Sequence, residues 1–254
     1  MEHSVFPGSG DPARSLALLW RTSERASRKG KPDLSVDLIV RAAIELADSS
    51  GLQALAMRRV AERLGVGTMS LYTYVPGKPE LLDVMLDAVY GETTEATQDT
   101  WRARLEHIAR ENLALYQRHP WLTQVATSRP VLGPNTIAKY DAELRAIDGI
   151  GLDDIEMDSV LTMIMGYVHG AARGAADARA AEQSSGMTDQ QWWYAHVPFL
   201  ERIMDGRRYP TAARVGSAAG EAHQSAYDPE HAFEFGLRCV LDGVEMLVNG
   251  RKRP

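Results

Sequence analysis

Residues 64–75 read LGVGTMSLYTYV, and inside them Thr68, Ser70, Tyr72, Thr73 and Tyr74 place three aliphatic hydroxyls and two phenolic rings within seven positions. A solvated helix ordinarily turns Glu and Lys outward. Hydroxyls and phenols instead donate to phosphate oxygens, and apolar side-chain atoms meet thymine methyls. The alternative is a helical hairpin whose tyrosines cover a core, and the segment alone leaves both open. Covalent chemistry has no comparable signal. The chain contains no His-Glu-x-x-His, no cysteine pair, no phosphate-cradling glycine loop, no nucleophile elbow and no calcium loop. We therefore expect no enzyme, no metal and no cofactor.

The elements that must position these side chains can be read from the residues around them. Gly65-Val66-Gly67 interrupts two helical patterns, about 57–64 and 68–75, leaving a turn of roughly three residues. Helices joined so tightly need a small residue where they touch, glycine in the turn and apolar residues facing inward, and Ala61, Gly65, Val66 and Leu71 supply these. In such a pair the first helix spans the phosphate backbone and the second presents its N-terminal side chains to base edges. Leu71 and Val75 point inward by spacing, which turns Thr68, Met69, Ser70, Tyr72, Thr73 and Tyr74 outward. Arg58 and Lys78 bracket them as phosphate contacts, whereas Arg59 and Arg63 read equally as solvent-facing charges. Upstream, Ser35 caps a helix with the stripe Val36, Ile39, Val40, Ala43, Ile44 and Ala47, ended by Gly51. Downstream, Gly77-Lys78-Pro79-Glu80 opens a fourth helix with Leu81, Leu82, Met85, Leu86 and Val89.

The net charge of −6 opposes nucleic-acid binding only as a sum. Residues 1–78 hold 11 Lys/Arg against 8 Asp/Glu, and the acidic excess lies entirely in the remainder. Basic charge concentrates in RTSERASRKGK, where Arg21, Arg25, Arg28, Lys29 and Lys31 face only Glu24. Residues 1–33 are rich in Pro, Gly, Ser and Arg and read as a flexible basic arm, with one helical turn possible at Leu16 to Trp20. Arg25, Arg28 and Lys29 would then reach DNA; the other reading is a solvated tail. Cys239 excludes an intramolecular disulfide, fits a reducing cytoplasm and reads as small core filler. No signal peptide or membrane-spanning run is visible, so a cytoplasmic chain with no membrane partner is expected.

Residues 34–92, LSVDLIVRAAIELADSSGLQALAMRRVAERLGVGTMSLYTYVPGKPELLDVMLDAVYGE, resemble the DNA-binding domain of the TetR family of transcriptional regulators. The signature Leu-Tyr-x-(Tyr/His) followed by Lys falls on Leu71, Tyr72, Tyr74 and Lys78. The resemblance implies phosphate contacts at Arg58, Tyr72, Tyr74 and Lys78, and places Thr68, Met69, Ser70 and Thr73 at or near bases. It also implies an all-helical C-terminal domain that dimerises and binds a small-molecule effector. The expected regulator is a repressor on a palindromic double-stranded DNA operator, with an activator or an effector-free architectural dimer as alternatives. Two departures stand out: Ala56 occupies the usual Ser/Thr cap position, and Met69 cannot donate a hydrogen bond to a base.

The fold expected is all-α, with a basic arm at 1–33, a helix-turn-helix domain at 34–91 and an effector-binding and dimerisation domain at 92–254. Helical patterns cover about 99–117, 121–127, 134–147, 153–182, 188–204 and 229–249, and residues 207–229 read as a mobile loop. Gly166, Gly170 and Gly174, and Ala232, Gly236, Cys239 and Gly243, form small-residue faces suited to a homodimeric four-helix bundle or to packing within one subunit. Trp121, Met163, Tyr167, His169, Trp192, His196 and Phe199 are the candidate effector contacts, with Pro198 expected to kink its helix beside the last three.

Overall fold

The computed structural model describes residues 7–22, 34–126 and 128–251, which form helices and connecting loops with no β-strand among the described residues. The order is α1 Pro12–Leu19, α2 Val36–Ser50, α3 Met57–Leu64, α4 Thr68–Leu71, α5 Lys78–Tyr90, α6 Trp101–Arg118, α7 Pro134–Arg145, α8 Asp154–Ser185, α9 Asp189–Ile203, α10 Pro210–His223 and α11 Pro229–Arg251. Short 3₁₀ turns at Leu52–Ala54 and Pro120–Gln124 follow α2 and α6.

Helices α2 to α5 form the expected compact unit. Ser35 Oγ accepts the Leu38 amide at 3.1 Å, and Gly51 leaves α2 with φ +77. The unit's core does not stop at residue 91: Leu115, Trp121, Leu122, Val125 and Val131 are buried in the same cluster as Ile39, Val60, Leu71 and Leu81. A second cluster joins Leu105 and Ile108 of α6, Ile147 just after α7, Val160 and Ile164 of α8, and Phe233, Leu237 and Leu241 of α11.

Helix α5 belongs to the first cluster and is buried on nearly every side, including three carboxylates at helical spacing, Glu80, Asp83 and Asp87. Buried carboxylates persist only when hydrogen-bonded. Asp83 accepts the Gly8 amide at 2.9 Å and the Ser15 hydroxyl at 3.0 Å. Asp87 accepts the Thr136 amide and hydroxyl, both at 2.9 Å, at the N-terminal turn of α7.

Two expectations are corrected. Residues 12–19 form a docked helix, longer than the single turn expected at Leu16 to Trp20: Asp11 caps α1, Pro12 occupies its first turn, and Leu18 and Leu19 bury against the core beside α5. Ser15 finds its partner 68 positions away, which local composition cannot signal. Arg25, Arg28 and Lys29 lie outside the described residues. Likewise, residues 210–223 form α10 rather than a loop, because Pro210 and the alanines favour helix even without an apolar stripe. Gly220 packs on the Trp193 ring, where a Cβ would meet Cζ2 at 2.3 Å.

Helix α8 begins with the capping box Asp153–Glu156, so the acidic run there serves the helix terminus. Of the small-residue faces, Gly236 receives the Tyr167 ring and Gly174 the Tyr227 hydroxyl, while Gly166, Gly170 and Gly243 face open space. Cys239 is exposed on that face of α11, not core filler, because Phe233, Leu237 and Leu241 take the inward stripe.

Candidate nucleic-acid interface and effector cavity

The reading face begins with the end of α3. Gly65 adopts φ +66 and ψ 28, the left-handed conformation glycine enters without a Cβ penalty. Its amide donates to Glu62 O at 3.2 Å, and the Val66 amide donates to Ala61 O at 3.0 Å. This pair of bonds satisfies the last carbonyls of α3 and turns the chain sharply into α4. Regular helix ends at Leu71, but the Val75 amide still donates to Leu71 O at 2.8 Å, so the turn to residue 75 remains helical in path.

Leu71 and Val75 are fully buried, and Met69 is 78% exposed. Ser70, Tyr72, Thr73 and Lys78 are exposed with it, whereas Thr68 and Tyr74 are half-buried and Tyr74 packs on the core. The outward arc read from spacing is thus present, with Tyr74 sharing its ring between the core and the surface. Arg58 is exposed and bonded to Glu62 at 2.7 Å, which pushes its guanidinium pKa further up and keeps the positive charge. Arg63 is paired with Glu45 at 2.9 Å, and Arg59 reaches the Ala54 carbonyl at 3.4 Å. Lys78 is exposed and has no side-chain partner among the described residues, which leaves its ammonium available to a phosphate.

At its other end α5 forms the wall of a cavity of about 200 Å³ shared with α6 and α7. Tyr90, Ile108, Asn112, Lys139 and Glu143 line it. Asn112 is 4% exposed and donates to Glu143 Oε1 at 2.9 Å, and Lys139 pairs closely with the same carboxylate. Burial, and then Glu143, push the Tyr90 phenol up to about 12. At the rim, the Thr94 amide holds the Glu111 carboxyl below its ordinary range. The cavity therefore sets apolar surface from Ile108, Ala138 and Ala142 beside an amide, a phenol and an ion pair, groups able to orient a small ligand.

The seven aromatic, His and Met candidates do not line this cavity. Trp121 is buried at the joint between α2 and α8, with its indole N–H donating to Asp48 at 2.8 Å. Tyr167 spends its hydroxyl on the carbonyls of Ala232 and Phe233, tying α8 to α11. His169 stacks on Tyr116 at 5.5 Å. Met163 is exposed, as are Trp192, His196 and Phe199 on α9, which has no buried residue. Helix α9 continues through Pro198 to Ile203. The residues lining the cavity carry one faint signal in the sequence: Asn112 interrupts the apolar stripe of α6, and Lys139 and Glu143 stand four apart.

Family models agree with this geometry. Residues 39–85 match the family described as "Bacterial regulatory proteins, tetR family", and residues 93–248 match "Tetracyclin repressor-like, C-terminal domain". The chain belongs to the TetR family. Among its relatives, the HTH-type transcriptional repressor DrrR1 of Streptomyces coeruleorubidus is 48% identical over 96% of this chain and 90% of its own length. The class C tetracycline repressor of Escherichia coli is 29% identical over 84% of this chain and 92% of its own. The structure of ActR from Streptomyces coelicolor in complex with actinorhodin superposes with a TM-score of 0.71 at 25% identity, covering 85% of this chain and 97% of that one. As a TetR-family member the chain is a DNA-binding transcriptional regulator, and the matched residues 39–85 include α3 and α4. No helix among the described residues is long and apolar enough to cross a membrane.

Proposed function

We propose that this chain is a homodimeric, one-component cytoplasmic repressor that holds a palindromic operator through two α4 faces and leaves it when a small molecule fills the α5–α6–α7 cavity. The observation that carries the reading is the path of α5. It starts at Lys78 beside the recognition segment and ends at Tyr90 in the cavity wall, so one rigid element touches both sites. A ligand that fits the cavity only when the end of α5 moves shifts the population away from the DNA-competent arrangement by its differential affinity.

Repression is supported by the names of its relatives, and small-molecule binding by the actinorhodin complex of ActR. The cavity's chemistry favours a ligand with an apolar body and hydrogen-bonding edges. Dimerisation is supported by the exposed Met163 of α8 and Phe235, Met246 and Leu247 of α11, beside the open glycines Gly166, Gly170 and Gly243. Phosphate contacts from Arg58, Tyr72 and Lys78, and base contacts from Met69, Ser70 and Thr73, complete the docking.

The test is a selection of bound duplexes from genomic DNA, followed by a screen of small molecules for thermal stabilisation and operator release. A stabilising compound that also frees the duplex is the expected result. Operator binding that no stabilising compound alters would favour an effector-free architectural dimer.

A further inference from the structure

His119, at the end of α6, is 7% exposed and aims both ring nitrogens at carboxylates from different parts of the chain. Its Nδ1 lies 2.8 Å from Asp48 Oδ1, near the end of α2, and its Nε2 lies 3.0 Å from Glu92 Oε2, just beyond α5. Neutral imidazole carries one N–H, so its second nitrogen would set a lone pair against a carboxylate oxygen. Imidazolium donates at both. The surrounding charges are fixed by several elements. Arg118 reaches Glu92 at 3.4 Å, Trp121 donates to the same Asp48 oxygen, and Arg173 and Asp177 of α8 line the crevice alongside.

We propose that His119 is the pin between the reading head and the effector core, and that its protonation sets how firmly α2 and the end of α5 are held together. It is a positioning residue and touches neither DNA nor effector. The α2 carboxylate belongs to the head, and Glu92 follows the stretch Tyr90–Gly91 that walls the cavity, so the pin joins the two places a ligand must couple. Protonated, it bridges them. Deprotonated, one side is released, the head samples more orientations, and operator binding must order it again.

The inference rests on the operator-binding reading above. Its test uses the full chain, a duplex recovered by selection, and fluorescence anisotropy between pH 6 and pH 8 for wild type, His119→Gln and Glu92→Gln. Wild-type affinity should fall with rising pH by about fivefold more than that of His119→Gln, the low end of common inter-site coupling. Glu92→Gln, at an exposed position that folding tolerates, should lie between them because the Asp48 bond survives. Parallel pH profiles for wild type and both variants would overturn the pin. Failure of wild type to bind any selected duplex at either pH would overturn the operator reading instead, and the pin with it.

Discussion

Ala56 leaves the first amides of α3 without a side-chain acceptor, in the helix that leads into the recognition turn. Its backbone is already extended at φ −144 and ψ 141, the geometry an N-cap serine adopts. Ala56→Ser should therefore stabilise the chain by about 1 kcal/mol, read as a higher Tm by calorimetry; an unchanged or lower Tm would show that the hydroxyl does not reach the α3 amides. In the cavity, Asn112→Leu leaves Glu143 without its amide donor and should cost about 1–3 kcal/mol, checked by urea unfolding; a neutral result would place the Glu143 carboxylate in solvent. The exposed Met69, Ser70, Tyr72 and Thr73 were legible because one turn and two inward residues, Leu71 and Val75, fix a helix face locally. Asn112 and Glu143 were not, since they stand 31 positions apart and meet only after α6 and α7 pack. Choosing aromatic residues by type led instead to Trp121 and Tyr167, which serve packing and hydrogen bonding, and to Trp192, His196 and Phe199 of α9, which are exposed.

Helix α5 is the element on which the rest depends, and its buried carboxylates record what holds it. Asp83 is kept above the ordinary carboxylate range, first by burial, with the Gly8 amide and the Ser15 hydroxyl pulling the other way. A folded pKa above the unfolded one means that the folded state binds the extra proton. The associated stability is present below the unfolded value and is lost as pH rises through the folded one, from about pH 4 upward. Asp83→Asn should remove that portion of the loss and flatten the Tm against pH curve in this window; an unaltered curve would place the titration elsewhere. The elements that escaped the sequence reading share a cause. Helix α1 is short and its partners Glu80 and Asp83 lie far along the chain, while α10 has alanine propensity without an apolar stripe. Long elements such as α2, α5, α8 and α11 were visible because each carries enough apolar residues at helical spacing.

Across the whole molecule, the acidic excess sits away from the recognition segment, and a basic stretch precedes α2. If that stretch reaches DNA, replacing Arg25, Arg28 and Lys29 with alanine should lower the slope of log affinity against log salt by up to about 3, near 0.9 per phosphate contact. The α1 contacts to α5 would be untouched, and an unchanged slope would return the segment to a solvated tail. The central claim is that the α4 face and Lys78 meet DNA while α8 and α11 join the two copies. It is tested most directly by titrating a selected duplex with wild type, Tyr72→Ala and Lys78→Ala while following their mass by light scattering. The account predicts that each substitution weakens binding by about tenfold, that Lys78→Ala lowers the salt slope by about 1, and that all three proteins keep the same dimer mass. Full operator affinity in both variants would contradict it.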